Sequence, residues 1–247
     1  MNSPIVVDIY AGLGAAAALG LAAGGCAYAS LYPGSRIFGK ALIAPRRAGE
    51  IALTFDDGPN TAWTPRLLDV LAEHNVKATF FMLGSRAEQE PELVRRVAAE
   101  GHLIGNHSWS HENLAWTAAG RVREELTRTN DVLQQITGER VLYFRPPFGA
   151  RRPVVFRIAR EFGLTPVLWN AMTSDWSETD AEKIAGALAK KIDGLEKSGW
   201  AANIVLHDGG NLAQGTDRGP SVKATEMLMK SYEGTHRFVR VDAWGEA

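Results

Sequence analysis

Beyond Arg36 the chain alternates short apolar runs with longer stretches of helical periodicity. The apolar runs at 51–55, 78–83, 102–105, 142–144, 166–169, 203–206 and 238–241 are of strand length. Between them, apolar positions recur at three- and four-residue spacing over 65–73, 90–100, 118–136, 152–161, 181–195 and 222–232. Several of these stretches open near an Asp, Ser or Thr suited to an N-cap. Successive strand–helix units predict an α/β domain built on a parallel sheet. The pattern leaves open a doubly wound sheet or a barrel, and both gather chemistry at the carboxyl ends of the strands.

Residues 1–35 follow another pattern. Before Arg36 the only charged side chain is Asp8, and the 27 residues from 9 to 35 carry no charge. As a helix rising about 1.5 Å per residue they would reach roughly 40 Å, more than the ~30 Å of bilayer hydrocarbon. Their many Ala and Gly residues suit close helix packing. No basic residues precede the run, as a secretory signal requires, and Ala23-Gly24-Gly25-Cys26 resembles a lipoprotein cleavage box only weakly. The expectation is an N-terminal hydrophobic helix, residues 1–35, that anchors the protein in the membrane at the cell envelope. A linker at 36–46 and a domain at 47–247 follow. The alternative is an Ala/Gly-rich helix docked on that domain. Arg36, Lys40, Arg46 and Arg47 come after the run, and the positive-inside rule would hold the domain in the cytoplasm, so the side of the membrane stays open.

Composition narrows the function more than the fold. Lys+Arg 27 against Asp+Glu 28 gives a net charge of −1, without the basic excess that a nucleic-acid partner calls for. Cys26 is the single cysteine, which excludes an intrachain disulfide and a cysteine-based zinc cluster.

The strand ends carry the candidate chemistry. The first apolar run ends in Asp56-Asp57-Gly58-Pro59, and neighbouring side chains on a strand face opposite ways, so one acid could bind a metal while the other stays a base. The third is followed by His107-Ser108-Trp109-Ser110-His111, whose spacing of four would put both imidazoles on one face of a helical turn, close enough to share an ion. Ser108 stands where a His-Glu-x-x-His protease has its glutamate, so a general base must come from elsewhere. The fourth runs into Arg145-Pro146-Pro147-Phe148-Gly149, where two prolines fix the backbone and leave the Phe148 N–H as a positioned donor. Asp175-Trp176 follows the fifth run, and Leu206-His207-Asp208 ends the sixth. A carboxylate such as Asp175 beside His207 would favour the imidazolium that a general acid requires.

Taken together and in order, Thr54-Phe55-Asp56-Asp57-Gly58, His107 to His111, Arg145 to Phe148, Asp175-Trp176 and Leu206-His207-Asp208 resemble the five motifs of the polysaccharide deacetylase family, the NodB-homology or carbohydrate esterase family 4 enzymes. The resemblance implies a distorted, incompletely closed (β/α) barrel of about seven parallel strands with helices outside. It implies that Asp57, His107 and His111 are metal ligands, Asp56 the general base and His207 the general acid. By the same resemblance Arg145 holds the base, Asp175 tunes the acid, the Phe148 N–H binds the oxyanion, Trp176 walls the pocket and Leu206 lies beside the bound acetyl group. Phe148 departs from the commoner Tyr, and Met172 stands where many members have Asp, which puts substrate preference in doubt.

The implied cofactor is one divalent metal ion, zinc by default, with cobalt, nickel, iron and manganese also suited to two imidazoles and a carboxylate. The implied partner is an N-acetylated glycan, peptidoglycan or a chitin-like oligomer, from which acetate would be released. Two other readings stay open at this point: a cytoplasm-facing amidohydrolase acting on a small or lipid-linked amide, and a catalytically silent glycan-binding protein on the same scaffold.

Overall fold

The computed structural model describes residue 20 and residues 24–245. Among these residues eight parallel strands form one sheet: β1 (Glu50–Gly58), β2 (Thr79–Met82), β3 (Leu103–Asn106), β4 (Tyr143–Phe144), β5 (Thr165–Pro166), β6 (Ala171–Met172), β7 (Ala202–His207) and β8 (Arg237–Phe238). Their order is β5-β4-β3-β2-β1-β7-β6, with β8 pairing β1 off this path. Seven α-helices connect them: α1 (Thr64–Glu73), α2 (Gly84–Gln89), α3 (Pro91–Ala99), α4 (Ala119–Thr137), α5 (Pro153–Glu161), α6 (Ala181–Lys197) and α7 (Gly219–Tyr232).

Local chemistry sets the helix ends. Proline occupies the first turn of α1, α3, α5 and α7, where its missing N–H would have no intrahelical partner anyway. The Asp180 carboxylate accepts from the Glu182 and Lys183 N–H groups at the start of α6. Gly138, at φ 73°, closes α4 in the left-handed conformation that glycine adopts without a Cβ clash.

Both faces of the sheet are covered, which is what a parallel sheet requires. Ile51, Leu53 and Phe55 of β1, Phe80 and Met82 of β2, and Ile204 and Leu206 of β7 pack against the helices. The intervening positions, including Ala52 and Phe81, join Leu42, Tyr143, Val167 and Trp244 in a second cluster on the face turned away from the helices. Each fully buried Leu or Phe contributes on the order of 1.5–3 kcal/mol relative to exposure.

The sheet curls without closing, since β5 and β6 at its ends share no ladder among the described residues. Chain from 42 to 45 spans the gap. Leu42 forms a parallel bridge with Val167, and the Ala201 N–H donates to the Pro45 carbonyl at 3.0 Å. Asn203 Nδ2 donates to the Ile43 and Leu168 carbonyls, both at 2.7 Å. The expected incompletely closed barrel is therefore present, with a two-residue strand, β6, and a short helix, α2, that apolar patterning does not reveal.

The expected membrane anchor is corrected. Among the described residues no helix is long and apolar enough to cross a membrane. Residues 1–19 and 21–23 of the anticipated hydrophobic helix lie outside the described residues. The part of it that is described, a helical stretch at 24–31 and the turn to 35, is tied to the domain: Ala29 and Ser35 are buried, and the Arg151 N–H donates to the Ser30 carbonyl at 3.2 Å.

Candidate active site

Alternation along β1 sends Ala52, Thr54 and Asp56 away from the helices, and regular pleating would send Asp57 to the other side. It does not. The register against β2 shifts between Asp56 and Gly58, and Asp57 takes φ 70°. Such a bulge re-aims a side chain, and both carboxylates open into one cleft. The expectation that the neighbouring acids face opposite ways is corrected by this bulge. Gly209 presses against it so closely that a Cβ there would lie 1.9 Å from the Asp57 carbonyl oxygen.

The two histidines also meet without the helical turn that their spacing suggested. Residues 107–111 form a loop in which Ser108 and His111 have positive φ, 69° and 62°. The loop is fixed from both sides. Asn106 Oδ1 accepts from the Ser108 N–H at 2.7 Å, and the buried Glu125 of α4 accepts from the Trp109 and Ser110 N–H groups at 2.8 Å each. His107 Nδ1 lies 2.8 Å from the Arg145 carbonyl, so that nitrogen donates and Nε2 presents its lone pair.

His107 Nε2 and His111 Nε2 lie 3.4 Å and 3.1 Å from Asp57 Oδ1, an oxygen that is buried and has no hydrogen-bond partner. Burial acts to raise the Asp57 pKa, but the two imidazoles beside it outweigh burial and hold the carboxyl well below the usual range. One carboxylate oxygen and two imidazole nitrogens, all within 4.8 Å of one another, suit a zinc-like divalent cation. The site therefore fits the ion expected from the sequence.

Asp56 is oriented by Arg145. The fully buried guanidinium donates through Nη1 to Asp56 Oδ1 at 2.8 Å and to Thr54 Oγ1 at 2.7 Å, and its Cζ lies 4.2 Å from the Phe81 ring centroid. Burial lowers the Arg145 pKa and Asp56 opposes that shift. Asp56 Oδ2 is left facing the ligand group, 3.8 Å from His107 Nε2.

Past Arg145 the backbone turns at Phe148 (φ 58°, ψ 9°), a left-handed conformation costing a non-glycine residue roughly 1–2 kcal/mol. Two turn bonds hold it, Gly149 N–H to Pro146 and Ala150 N–H to Pro147, each 2.9 Å, while the Phe148 N–H meets no acceptor among the described residues. The Phe148 ring packs edge-on against His111, centroids 4.5 Å apart.

On the opposite wall, Asp175 accepts from the His207 N–H at 2.8 Å, from its Nδ1 at 2.9 Å and from Ser221 Oγ at 2.8 Å. Burial pushes the His207 pKa down, but the Asp175 charge and hydrogen bond, helped by Asp57 and Asp56, lift it to about 9. Trp176 stands edge-on to His207 at 5.6 Å, its carbonyl accepting from Arg218 Nη1 at 3.2 Å.

These groups surround a cleft of about 520 Å3. Asp56, Asp57, His107, His111, Phe148, Trp176 and His207 line it, while Arg145 and Asp175 sit directly behind. Leu206 does not line it and is corrected. On β7 it faces the helices, fully buried, whereas Val205 and His207 face the cleft. Period-2 alternation from His207 was the signal that could have named Val205. Trp169, Met172 and Leu212 complete an apolar wall. Thr54, Glu125 and Ser221, which hold Arg145, the 107–111 loop and Asp175, have no local sequence signal except that Thr54 shares the parity of Asp56.

Comparison with known proteins places the chain in a family. A family model described as polysaccharide deacetylase matches residues 44–167. A peptidoglycan-N-acetylglucosamine deacetylase of Bacillus cereus is 42% identical over 144 residues, 58% of this chain and 52% of that protein. A chitooligosaccharide deacetylase of Rhizobium leguminosarum bv. trifolii is 39% identical over 159 residues, 64% of this chain and 71% of that protein. The chain spans about half the length of the first of these relatives. Among solved structures, a peptidoglycan N-acetylglucosamine deacetylase in complex with 4-naphthalen-1-yl-N-oxidanyl-benzamide superposes with a TM-score of 0.72 at 34% identity, covering 82% of this chain and 91% of that one. A family model matching half of the chain and relatives above 30% identity have one meaning: the chain belongs to the polysaccharide deacetylase family.

Proposed function

We propose that this chain removes N-acetyl groups from N-acetylglucosamine-containing glycans, peptidoglycan or chitin-like oligomers, and releases acetate. The observation that carries the reading is one cleft in which Asp57, His107 and His111 converge, with Asp56 held by Arg145 on one side and His207 held by Asp175 on the other. The activities named for the relatives support the choice of substrate.

Asp57, His107 and His111 would hold one divalent cation, zinc by default. When bound, such an ion polarises an acyl carbonyl and lowers the pKa of water. Asp56 accepts the proton of the attacking water through Oδ2, because Arg145 occupies Oδ1 and fixes the carboxylate plane. The Phe148 N–H donates to the oxygen of the acyl carbon as it gains negative charge. His207, kept protonated by Asp175, gives its proton to the amide nitrogen as the C–N bond breaks. One C–O bond forms and one C–N bond breaks, so water and amide become acetate and a free amine. The apolar wall of Trp169, Met172 and Val205 excludes water from the acyl group.

The test is incubation of the full chain with N-acetylglucosamine oligomers and zinc or cobalt, following acetate and new amines together. Equal amounts of both are expected. Folded protein that yields neither with any divalent metal would overturn the reading.

A further inference from the structure

Arg145 and Arg151, the two largest fully buried side chains described, bracket the Phe148 turn. Arg145 has a carboxylate partner. Among the described residues Arg151 has none: its guanidinium donates only to backbone carbonyls, those of Gly149 at 2.9 Å, Ser30 at 3.2 Å, Tyr32 at 2.6 Å and Ser35 at 3.3 Å. Burial lowers its pKa. A buried cation with neutral partners is a costly arrangement that an apolar side chain of equal size would avoid. One acceptor helps to explain why it is tolerated: the Ser30 carbonyl sits in the last turn of helical residues 24–31, where carbonyls lack intrahelical partners and attract positive charge.

The arrangement links two parts of the chain that strand pairing leaves independent. Arg151 Nη1 holds the Gly149 carbonyl, in the second peptide beyond Phe148, and also the Ser30 carbonyl. Gly149 is in the left-handed conformation as well (φ 63°), and its Cα is packed so tightly on Trp169 that a Cβ would lie 2.8 Å from the indole. The turn that presents the Phe148 N–H is thus fixed at one end by Arg145 on the sheet and at the other by residues 24–35.

We propose that Arg151 is a positioning residue, through which the N-terminal segment holds the Phe148 turn in its left-handed conformation and so sustains turnover. This rests on the reading of the Phe148 N–H as the donor to the substrate oxygen. Freed from the segment, Arg151 releases Gly149, the turn relaxes toward ordinary φ, and the donor leaves its place without disturbing Asp57, His107 or His111.

Three full-chain variants test this: Arg151→Met, which keeps volume and removes the donors; Arg151→Lys, which keeps charge and removes the fork; and Ala29→Lys, which undocks the segment at a buried contact far along the chain. With zinc present, Arg151→Met and Ala29→Lys are expected to lower kcat about 10- to 100-fold with KM within twofold, the signature of an interaction made in the transition state. The double variant is expected to be no worse than either alone. Arg151→Lys should recover part of the loss. Zinc affinity, titrated calorimetrically, should be unchanged. In protein labelled with 15N-phenylalanine, the Phe148 amide resonance should move in Arg151→Met and Ala29→Lys alike. An unmoved Phe148 resonance in folded Ala29→Lys, or kcat losses that multiply in the double variant, would overturn the proposal. If the wild-type chain releases no acetate, the functional reading fails, while the Phe148 resonance still decides whether the clamp exists.

Discussion

Asp175 grips His207 twice, through the backbone N–H at 2.8 Å and through Nδ1 at 2.9 Å. The first bond fixes where the residue starts and the second which nitrogen faces the cleft, so the pair leaves Nε2 as the only ring position able to reach a substrate. The His207 pKa, depressed by burial and lifted further by Asp175 and its neighbours, comes to about 9. It is raised above its ordinary value, so the stabilisation from imidazolium is fully present below about pH 6.5 and is lost as pH rises through about 9. The alkaline limb of kcat/KM should therefore lie well above pH 7. Asp175→Asn should move it to lower pH and lower its plateau, measured as a pH–rate profile beside an NMR titration of the His207 ring. A limb that stays in place would remove Asp175 from the role assigned to it.

Asp56 and Arg145 act as one unit. Replacing the base by an isosteric amide, Asp56→Asn, should lower kcat by roughly 10²–10⁴-fold while leaving the fold intact. Arg145→Met strands the Asp56 charge in a buried setting, and a cost of about 3–5 kcal/mol is expected in denaturant unfolding. A variant Asp56→Asn with full turnover would require another base.

Metal binding should be visible without any substrate. At free zinc one hundred times its Kd the folded state gains about 2.7 kcal/mol, which differential scanning calorimetry would register as a higher Tm. His111→Ala should abolish the shift, and His207→Ala should retain it, because His207 lies outside the converging triad. A zinc-induced shift of the same size in His111→Ala would place the ion elsewhere.

Leu206 and Val205 should separate cleanly. Leu206→Ala opens a cavity in the helix-facing core, so a loss of about 2–5 kcal/mol in stability is expected with KM unchanged. Val205→Phe pushes bulk into the cleft beside Trp169 and Met172, and should raise KM for acetylated oligomers with a smaller effect on stability. Steady-state kinetics alongside urea unfolding would distinguish the two, and the reverse assignment would return Leu206 to the substrate.

Much of the barrel was legible because its strands are buried on both faces and punctuated by long amphipathic helices. The two residues of β6 were not, since Ala171–Met172 takes its strand identity from pairing with β7 rather than from its own pattern. At the site, the residue types stood out at the strand ends, but the means of bringing them together did not. Asp57 reaches the cleft through a bulge that depends on β2. His107 and His111 meet through a loop stitched by Glu125, whose place on α4 only the tertiary packing defines. The apolar run before Arg36 suggested a membrane span, yet its described end is bound by Arg151, a residue more than one hundred positions later. Long-range hydrogen bonds of this kind leave no periodic trace in a sequence.

The proposed hydrolytic centre joins the Asp57–His107–His111 cluster to Asp56. The most direct measurement is acetate release from N-acetylglucosamine oligomers by metal-stripped full chain titrated with zinc, with Asp57→Asn and Asp56→Asn treated in parallel. No release is expected without metal, followed by a rise that saturates at one zinc per chain. Asp57→Asn should need far more zinc, and Asp56→Asn should bind zinc normally and stay inactive. Undiminished release from the metal-stripped chain, or from Asp56→Asn, would contradict it.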